Sequence, residues 1–93
     1  MARQMTENDA NAAMGVCAAL DFYKEPHCMR RDFPNGHAIA VYKLAPVSPK
    51  APFAMVIQHH KGPGDPHSVM TTDPEKFRIE LTTFVASETE NQQ

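Results

Sequence analysis

Runs of like charge are absent from this sequence, since its 93 residues contain no long basic or acidic stretch. The formal net charge is −2, and Arg30-Arg31 is the only pair of adjacent basic residues. Proteins that bind nucleic acid need a basic face, because contacts with phosphate supply much of the affinity. The composition therefore argues against nucleic acid as the main ligand.

Long hydrophobic runs and cysteines are also scarce. No segment is long enough to span a bilayer, and residues 1–13 lack the apolar core of a signal peptide. The two cysteines, Cys17 and Cys28, do not have a metal-binding spacing, and we expect both to be reduced thiols. These absences predict a cytoplasmic protein that does not associate with membranes.

Established catalytic and cofactor motifs are absent. There is no serine in a glycine-flanked elbow, and the adjacent His27 and Cys28 point to opposite faces of a strand. In the glycine-rich segment at residues 61–64, Pro63 removes one of the amides that could bind phosphate, and the next helix begins with acidic residues. We therefore assign no catalytic residue and no cofactor, and we favour a protein that is not an enzyme.

The length allows one domain, residues 1–93, because two ordinary hydrophobic cores need a longer chain. We find no internal repeat and no linker that would divide the chain. We expect the two ends, residues 1–5 and 88–93, to be frayed.

Two amphipathic helices are predicted. The first begins at the N-cap candidates of residues 6–9 and ends near Lys24, because Pro26 disfavours helical geometry in the residue before it. The second follows Thr72-Asp73-Pro74-Glu75, which has the form of a capping box with proline in the first turn. Its apolar stripe begins at Phe77 and includes Leu81.

Three strands are predicted between the helices, over residues 28–33, 37–44 and 53–59. Pro34-Asn35-Gly36 has the composition of a three-residue hairpin loop. The predicted fold class is α+β: a helix, a three-stranded antiparallel β-meander and a second helix, with both helices packed on one sheet face.

The alternation of side chains along the strands predicts which sheet face is covered. If the second hairpin is symmetric about its loop, Ile39 pairs with Ile57 and His37 pairs with His59. The more apolar face is the expected bed for the helices, and we call it the inner face. Its residues are Met29, Phe33, Ile39, Val41, Phe53, Met55 and Ile57.

The opposite face, which we call the outer face, carries a small apolar area that would be open to water in a monomer. Its centre consists of Ala40, Tyr42, Ala54 and Val56, with Arg30 beside them. Aromatic and arginine side chains are favoured anchors in protein interfaces. We therefore predict that these five residues bind a protein partner.

Three of the five histidines lie in residues 59–67, a segment that also contains two glycines and two prolines and is typical of a loop. The predicted register brings His37 and His59 to the sheet edge beside this loop and His67. Imidazole is a common ligand of zinc, copper and nickel. We assign no metal, but His37, His59 and His67 form the alternative site.

The favoured function is a small non-enzymatic protein-interaction domain. It would act as a dimer, and so as a homo-oligomer, or as a subunit or regulator of a larger assembly, such as a phage-type inhibitor. The alternative is a small histidine-dependent enzyme or metal-binding protein with its site in the 59–67 loop. Bound zinc, copper or nickel in the purified protein would favour the alternative, whereas capture of one partner by metal-free protein would favour the first.

Overall fold

The computed structural model describes residues 4–90, which form two helices and one antiparallel sheet of five strands. The elements, in chain order, are α1 (Glu7–Ala19), β1 (Tyr23–Lys24), β2 (Met29–Asp32), β3 (Ala38–Leu44), β4 (Ala54–His60), β5 (His67–Thr71) and α2 (Pro74–Glu90). Each strand is hydrogen-bonded to the next in that order. The protein is therefore α+β, as predicted, but the prediction of three strands is wrong because the sheet has five.

The first additional strand, β1, occupies the region where the sequence predicts the end of the first helix. Helix α1 ends at Ala19, and Asp21 has a left-handed φ of 68°. Aspartate adopts this conformation more readily than most residues, and a left-handed residue is a common way to end a helix. The chain then turns so that Tyr23 pairs with Arg30 of β2.

The second additional strand, β5, lies at the end of the segment that the sequence predicts as a loop. Gly62 and Gly64 have φ values of 117° and 104°, which glycine adopts without strain. The chain reverses within residues 61–66, so that His67 pairs with His59. The 59–67 segment is therefore a hairpin turn whose two ends belong to the sheet.

The pairing of β3 with β4 differs from the predicted register by two residues. Ile39 pairs with His59 and Val41 pairs with Ile57, so the predicted Ile39–Ile57 and His37–His59 pairs are wrong. Since side chains alternate with a period of two, a two-residue shift leaves every residue on its predicted face.

The physical reason for the shift lies at the start of β4. The Phe53 N–H donates to the Met5 carbonyl at 3.0 Å, so it pairs with the segment before α1 rather than with β3. Strand β4 consequently begins at Ala54, which pairs with Leu44. The centre of the hairpin loop therefore lies one residue later than predicted, and this shifts the pairing by two residues. In the β2–β3 hairpin, which the Pro34-Asn35-Gly36 turn closes, Met29 pairs with Val41.

Side chains of both helices and of the inner sheet face form one buried cluster. Cys17 of α1 and Leu81 of α2 are in this cluster with Ile39 and Ile57 of the sheet, and none of the four has accessible surface. Within residues 4–90, no helix has the length and apolar character needed to cross a membrane.

The predicted frayed ends include two residues that the structure buries. Met5 is 2% exposed, and its N–H donates to the Thr72 carbonyl at 2.8 Å. Glu88 is also 2% exposed, and α2 continues beyond it. The outermost residues of the two predicted segments, 1–3 and 91–93, lie outside the described part of the chain.

Candidate functional site

Glu88 is a buried carboxylate at which three parts of the fold meet. Its Oε2 atom lies 2.6 Å from His59 Nε2 and 2.7 Å from His37 Nδ1. Its Oε1 atom accepts a hydrogen bond from the Asn35 side-chain amide at 3.1 Å. We call these four residues the Glu88 cluster, and they join α2 to β4 and to the turn between β2 and β3.

The helical period places Glu88 on the buried side of α2. The buried residues of this helix are Phe77, Leu81, Val85 and Glu88. Steps of three and four residues keep them on one face of the helix. Extending the predicted stripe by one more step is the sequence signal that could have identified Glu88, but we expected fraying from residue 88 onward.

Local backbone geometry places both histidines beside this carboxylate. His59 lies two residues after Ile57 in β4, on the same face, and is 3% exposed. His37 directly precedes β3, where Gly36, with a φ of 90°, completes the turn. The His37 N–H donates to Asn35 Oδ1 at 2.9 Å, which fixes the turn and the position of its imidazole.

His67, the third histidine of the predicted metal set, lies next to the Glu88 cluster. It is the Cα partner of His59 and is exposed. The ring centroids of His67 and Phe84 are 5.7 Å apart. The Phe84 ring also packs on the His59 ring, with 5.2 Å between their centroids. Within residues 4–90, the group close enough to share a metal ion is His37, His59 and Glu88.

The Glu88 carboxylate is the negatively charged group of the cluster. Burial raises the pKa of Glu88. Hydrogen bonds with His59, Asn35 and His37 together lower it by more than burial raises it, so the pKa is below the ordinary value of 4.5. In the described part of the chain, both ion-pair partners of Glu88 are histidines, and no Lys or Arg pairs with it. The cluster therefore surrounds an ionised carboxylate with two imidazoles and one amide.

The atoms of the Glu88 cluster can hold a proton or a divalent metal ion. The ligand atoms of His37, His59 and Glu88 all lie within 4.8 Å of one another. Imidazole nitrogen and carboxylate oxygen are common zinc ligands in proteins. The His37 side chain is 29% exposed, so the cluster has a route to solvent.

The predicted partner-binding residues lie on the outer sheet face. Tyr42, Val56 and Met70 form one row across β3, β4 and β5. Met70 is 65% exposed and was not predicted, because its strand was not. Leu44, opposite Ala54, is 44% exposed and extends the same apolar surface. We call these five residues the outer patch.

Two predicted partner-binding residues are less available than the others. Ala40 is 1% exposed, so it offers almost no contact area. Arg30 forms an ion pair with Asp32 at 3.0 Å, and the Tyr23 hydroxyl donates to the same carboxylate at 2.6 Å. These three polar side chains form a border beside the outer patch.

Both cysteines are free and buried. Burial raises the pKa of the Cys17 thiol to about 12. That thiol is protonated at neutral pH and is unsuited to act as a nucleophile or metal ligand.

Comparisons with protein-family models, with curated proteins and with solved structures found no match for this chain. Functional assignment therefore depends on the geometry of the outer patch and of the Glu88 cluster.

Proposed function

We propose that this protein is a small non-enzymatic protein-interaction domain that binds its partner through the outer patch. The observation that carries the proposal is the row of Tyr42, Val56 and Met70, which presents apolar side chains on three adjacent strands. Contiguous exposed apolar surface is typical of interaction sites. Covering it favours association by about 25 cal/mol per Å² of apolar area.

The proposal includes the packing of both helices against the inner face, which leaves the outer face uncovered. The shared core of α1, α2 and the inner-face residues supports this arrangement. The alternation of burial along β4 also supports this arrangement. Met55, Ile57 and His59 are buried, whereas the residues between them are only half-buried.

The proposed partner is a second copy of this chain or a larger assembly of which the chain is a subunit or regulator, as a phage-type inhibitor would be. Arg30 and Asp32 give the patch a polar border, which is the usual arrangement around an apolar interface centre. A cytoplasmic location is part of the proposal, and the free thiols of Cys17 and Cys28 are compatible with it.

Tyr42→Glu tests the proposal because it places an unpaired charge in the outer patch. We expect association to weaken by about 2 kcal/mol or more, which is roughly 30-fold in Kd, as for a central interface residue. Light scattering measures self-association, and pull-down from the native host measures binding to another protein. Circular dichroism of the same variant reports whether the fold is intact.

Ile79→Glu is the matched control, since Ile79 is 50% exposed on α2 rather than on the sheet. We expect this variant to associate like the parent protein. Unchanged association of Tyr42→Glu with an intact fold would contradict the proposal. Loss of the fold in Tyr42→Glu would show that the two sheet faces are assigned the wrong way round.

A further inference from the structure

We propose that the Glu88 cluster is a zinc site, with His37 Nδ1, His59 Nε2 and one carboxylate oxygen of Glu88 as its protein ligands. These atoms come from three separate parts of the chain and lie within 4.8 Å of one another. The proposed set replaces His67 of the sequence-predicted set with Glu88. It lies where α2 meets the sheet, rather than in the turn of residues 61–66.

The spacing of the ligand atoms needs only a small change to accept the ion. In tetrahedral zinc sites, bonds of about 2.0–2.1 Å place neighbouring ligand atoms about 3.4 Å apart. Glu88 Oε2 is 2.6 Å from His59 Nε2 and 2.7 Å from His37 Nδ1. A retreat of the carboxylate by less than about 1 Å gives its two contacts the required spacing. The two imidazole nitrogens lie within 4.8 Å of each other, so a rotation of the half-exposed His37 ring brings them to the same separation.

The charge of the cluster favours a cation. The Glu88 carboxylate is 2% exposed, and its ion-pair partners within residues 4–90 are imidazoles. The hydrogen bonds of the cluster stabilise the buried carboxylate, but no Lys or Arg in residues 4–90 pairs with it. A zinc ion bound to one carboxylate and two neutral imidazoles supplies a fixed positive charge.

The surroundings provide the support that a metal site needs beyond its direct ligands. Asn35 donates to the Oε1 atom of Glu88 at 3.1 Å and so orients the carboxylate. Phe84 packs on the His59 ring and restricts its rotation. The partly exposed side chain of His37 marks the open side, where a water molecule completes the tetrahedral set.

Titration of chelator-stripped protein with zinc tests the proposal by calorimetry, and the absorption of added cobalt(II) reports tetrahedral coordination. We expect one ion per chain. His59→Asn and Glu88→Gln should weaken binding by more than the roughly 10- to 100-fold loss expected for Asn35→Ala, which removes only an orienting hydrogen bond. His60→Asn is the matched control, because His60 points to the outer face opposite Ala38, and it should bind zinc like the parent.

Nuclear magnetic resonance of the histidine rings in the unsubstituted protein makes the test independent of how the variants fold. On addition of zinc, we expect the ring nitrogens of His37 and His59 to shift and those of His60 and His67 to stay unchanged. Absence of one-to-one binding would overturn the proposal. Zinc-induced shifts at His67 in place of His37 and His59, or undiminished binding by folded Glu88→Gln, would also overturn it.

Discussion

Glu88 links the last turns of α2 to the sheet through its side chain. One carboxylate bonds His59 in β4 and both Asn35 and His37 in the turn before β3. Every one of these contacts joins residues that are far apart in sequence. Removing the carboxylate therefore breaks several tertiary contacts in one substitution.

Glu88→Ala should lower the free energy of unfolding of metal-free protein by about 1–3 kcal/mol, because it leaves buried polar partners without a hydrogen bond. Glu90→Ala is the control, since Glu90 is exposed in the same helix and should change stability by less than about 0.5 kcal/mol. Urea melts of the two variants measure both values. Equal free energies of unfolding for Glu88→Ala and Glu90→Ala would show that the buried contacts of Glu88 do not stabilise the fold.

Asp32 shows how neighbouring groups control ionisation at the border of the outer patch. Hydrogen bonds from Tyr23 and then from Arg30 lower the pKa of Asp32 below its ordinary value of 3.8. Because the pKa of the folded state is depressed, the resulting stabilisation is present above pH 3.8 and is lost as the pH falls through the folded-state pKa.

Tyr23→Phe removes the larger of these two causes, so we expect the pKa of Asp32 to rise toward 3.8. A carboxyl titration followed by nuclear magnetic resonance measures the change. Tyr42→Phe is the control and should leave the pKa of Asp32 where it is in the parent. The same pKa of Asp32 in Tyr23→Phe and in the parent would show that the Tyr23 hydrogen bond is absent in solution.

At the scale of elements, helix α2 has the buried stripe that the sequence indicates most clearly. Leu81, at its centre, has no accessible surface. Leu81→Ala should therefore destabilise the fold by about 2–5 kcal/mol, as a truncated core leucine does. Ile79→Ala, on the exposed side of the same helix, should cost less than about 0.5 kcal/mol in the same denaturant melt. A similar loss for both would show that the helix faces are misassigned.

The elements that could be predicted from the sequence have a strong local pattern. The stripes of α1 and α2, the alternation in β2 to β4 and the Pro34-Asn35-Gly36 turn each depend on residues close together in the chain. Strand β1 has only two residues, and β5 follows a turn with two glycines. Strand β1 pairs with β2, and β5 pairs with β4. Such pairing depends on the neighbouring strand, so no short-range sequence pattern predicts it.

The candidate site could be predicted only in part, for a similar reason. His37 and His59 were expected on one face, and the two-residue register error preserved that expectation because strand alternation has a period of two. Glu88 was missed because charged residues near a helix end are usually exposed. Its burial results from tertiary contacts with two distant histidines, which composition and periodicity do not encode.

At the scale of the whole molecule, the two sheet faces have separate proposed roles. The inner face contributes to the core and to the Glu88 cluster, whereas the outer face carries the outer patch. A substitution such as Tyr42→Glu therefore changes the proposed interface without touching a proposed zinc ligand. The two proposals can consequently fail independently of each other.

Oxidation of Met70 measures whether a protein partner covers the outer patch. Met70 is 65% exposed in the isolated chain, whereas Met5 is 2% exposed and Met55 has no accessible surface. Peroxide oxidises a methionine sulfur to the sulfoxide only where it can reach it, and mass spectrometry measures the extent at each site. A cell extract consumes part of the peroxide. The oxidation rate of Met70 is therefore divided by that of the partly buried Met14 in the same sample.

We predict that Met70 is oxidised rapidly in the dilute purified chain and slowly in an extract of the native host, with Met5 and Met55 slow in both. Protection confined to Met70 would show that the outer patch is covered where the protein works. Equal relative rates of Met70 oxidation in the dilute chain and in the extract would show that no partner covers the outer patch.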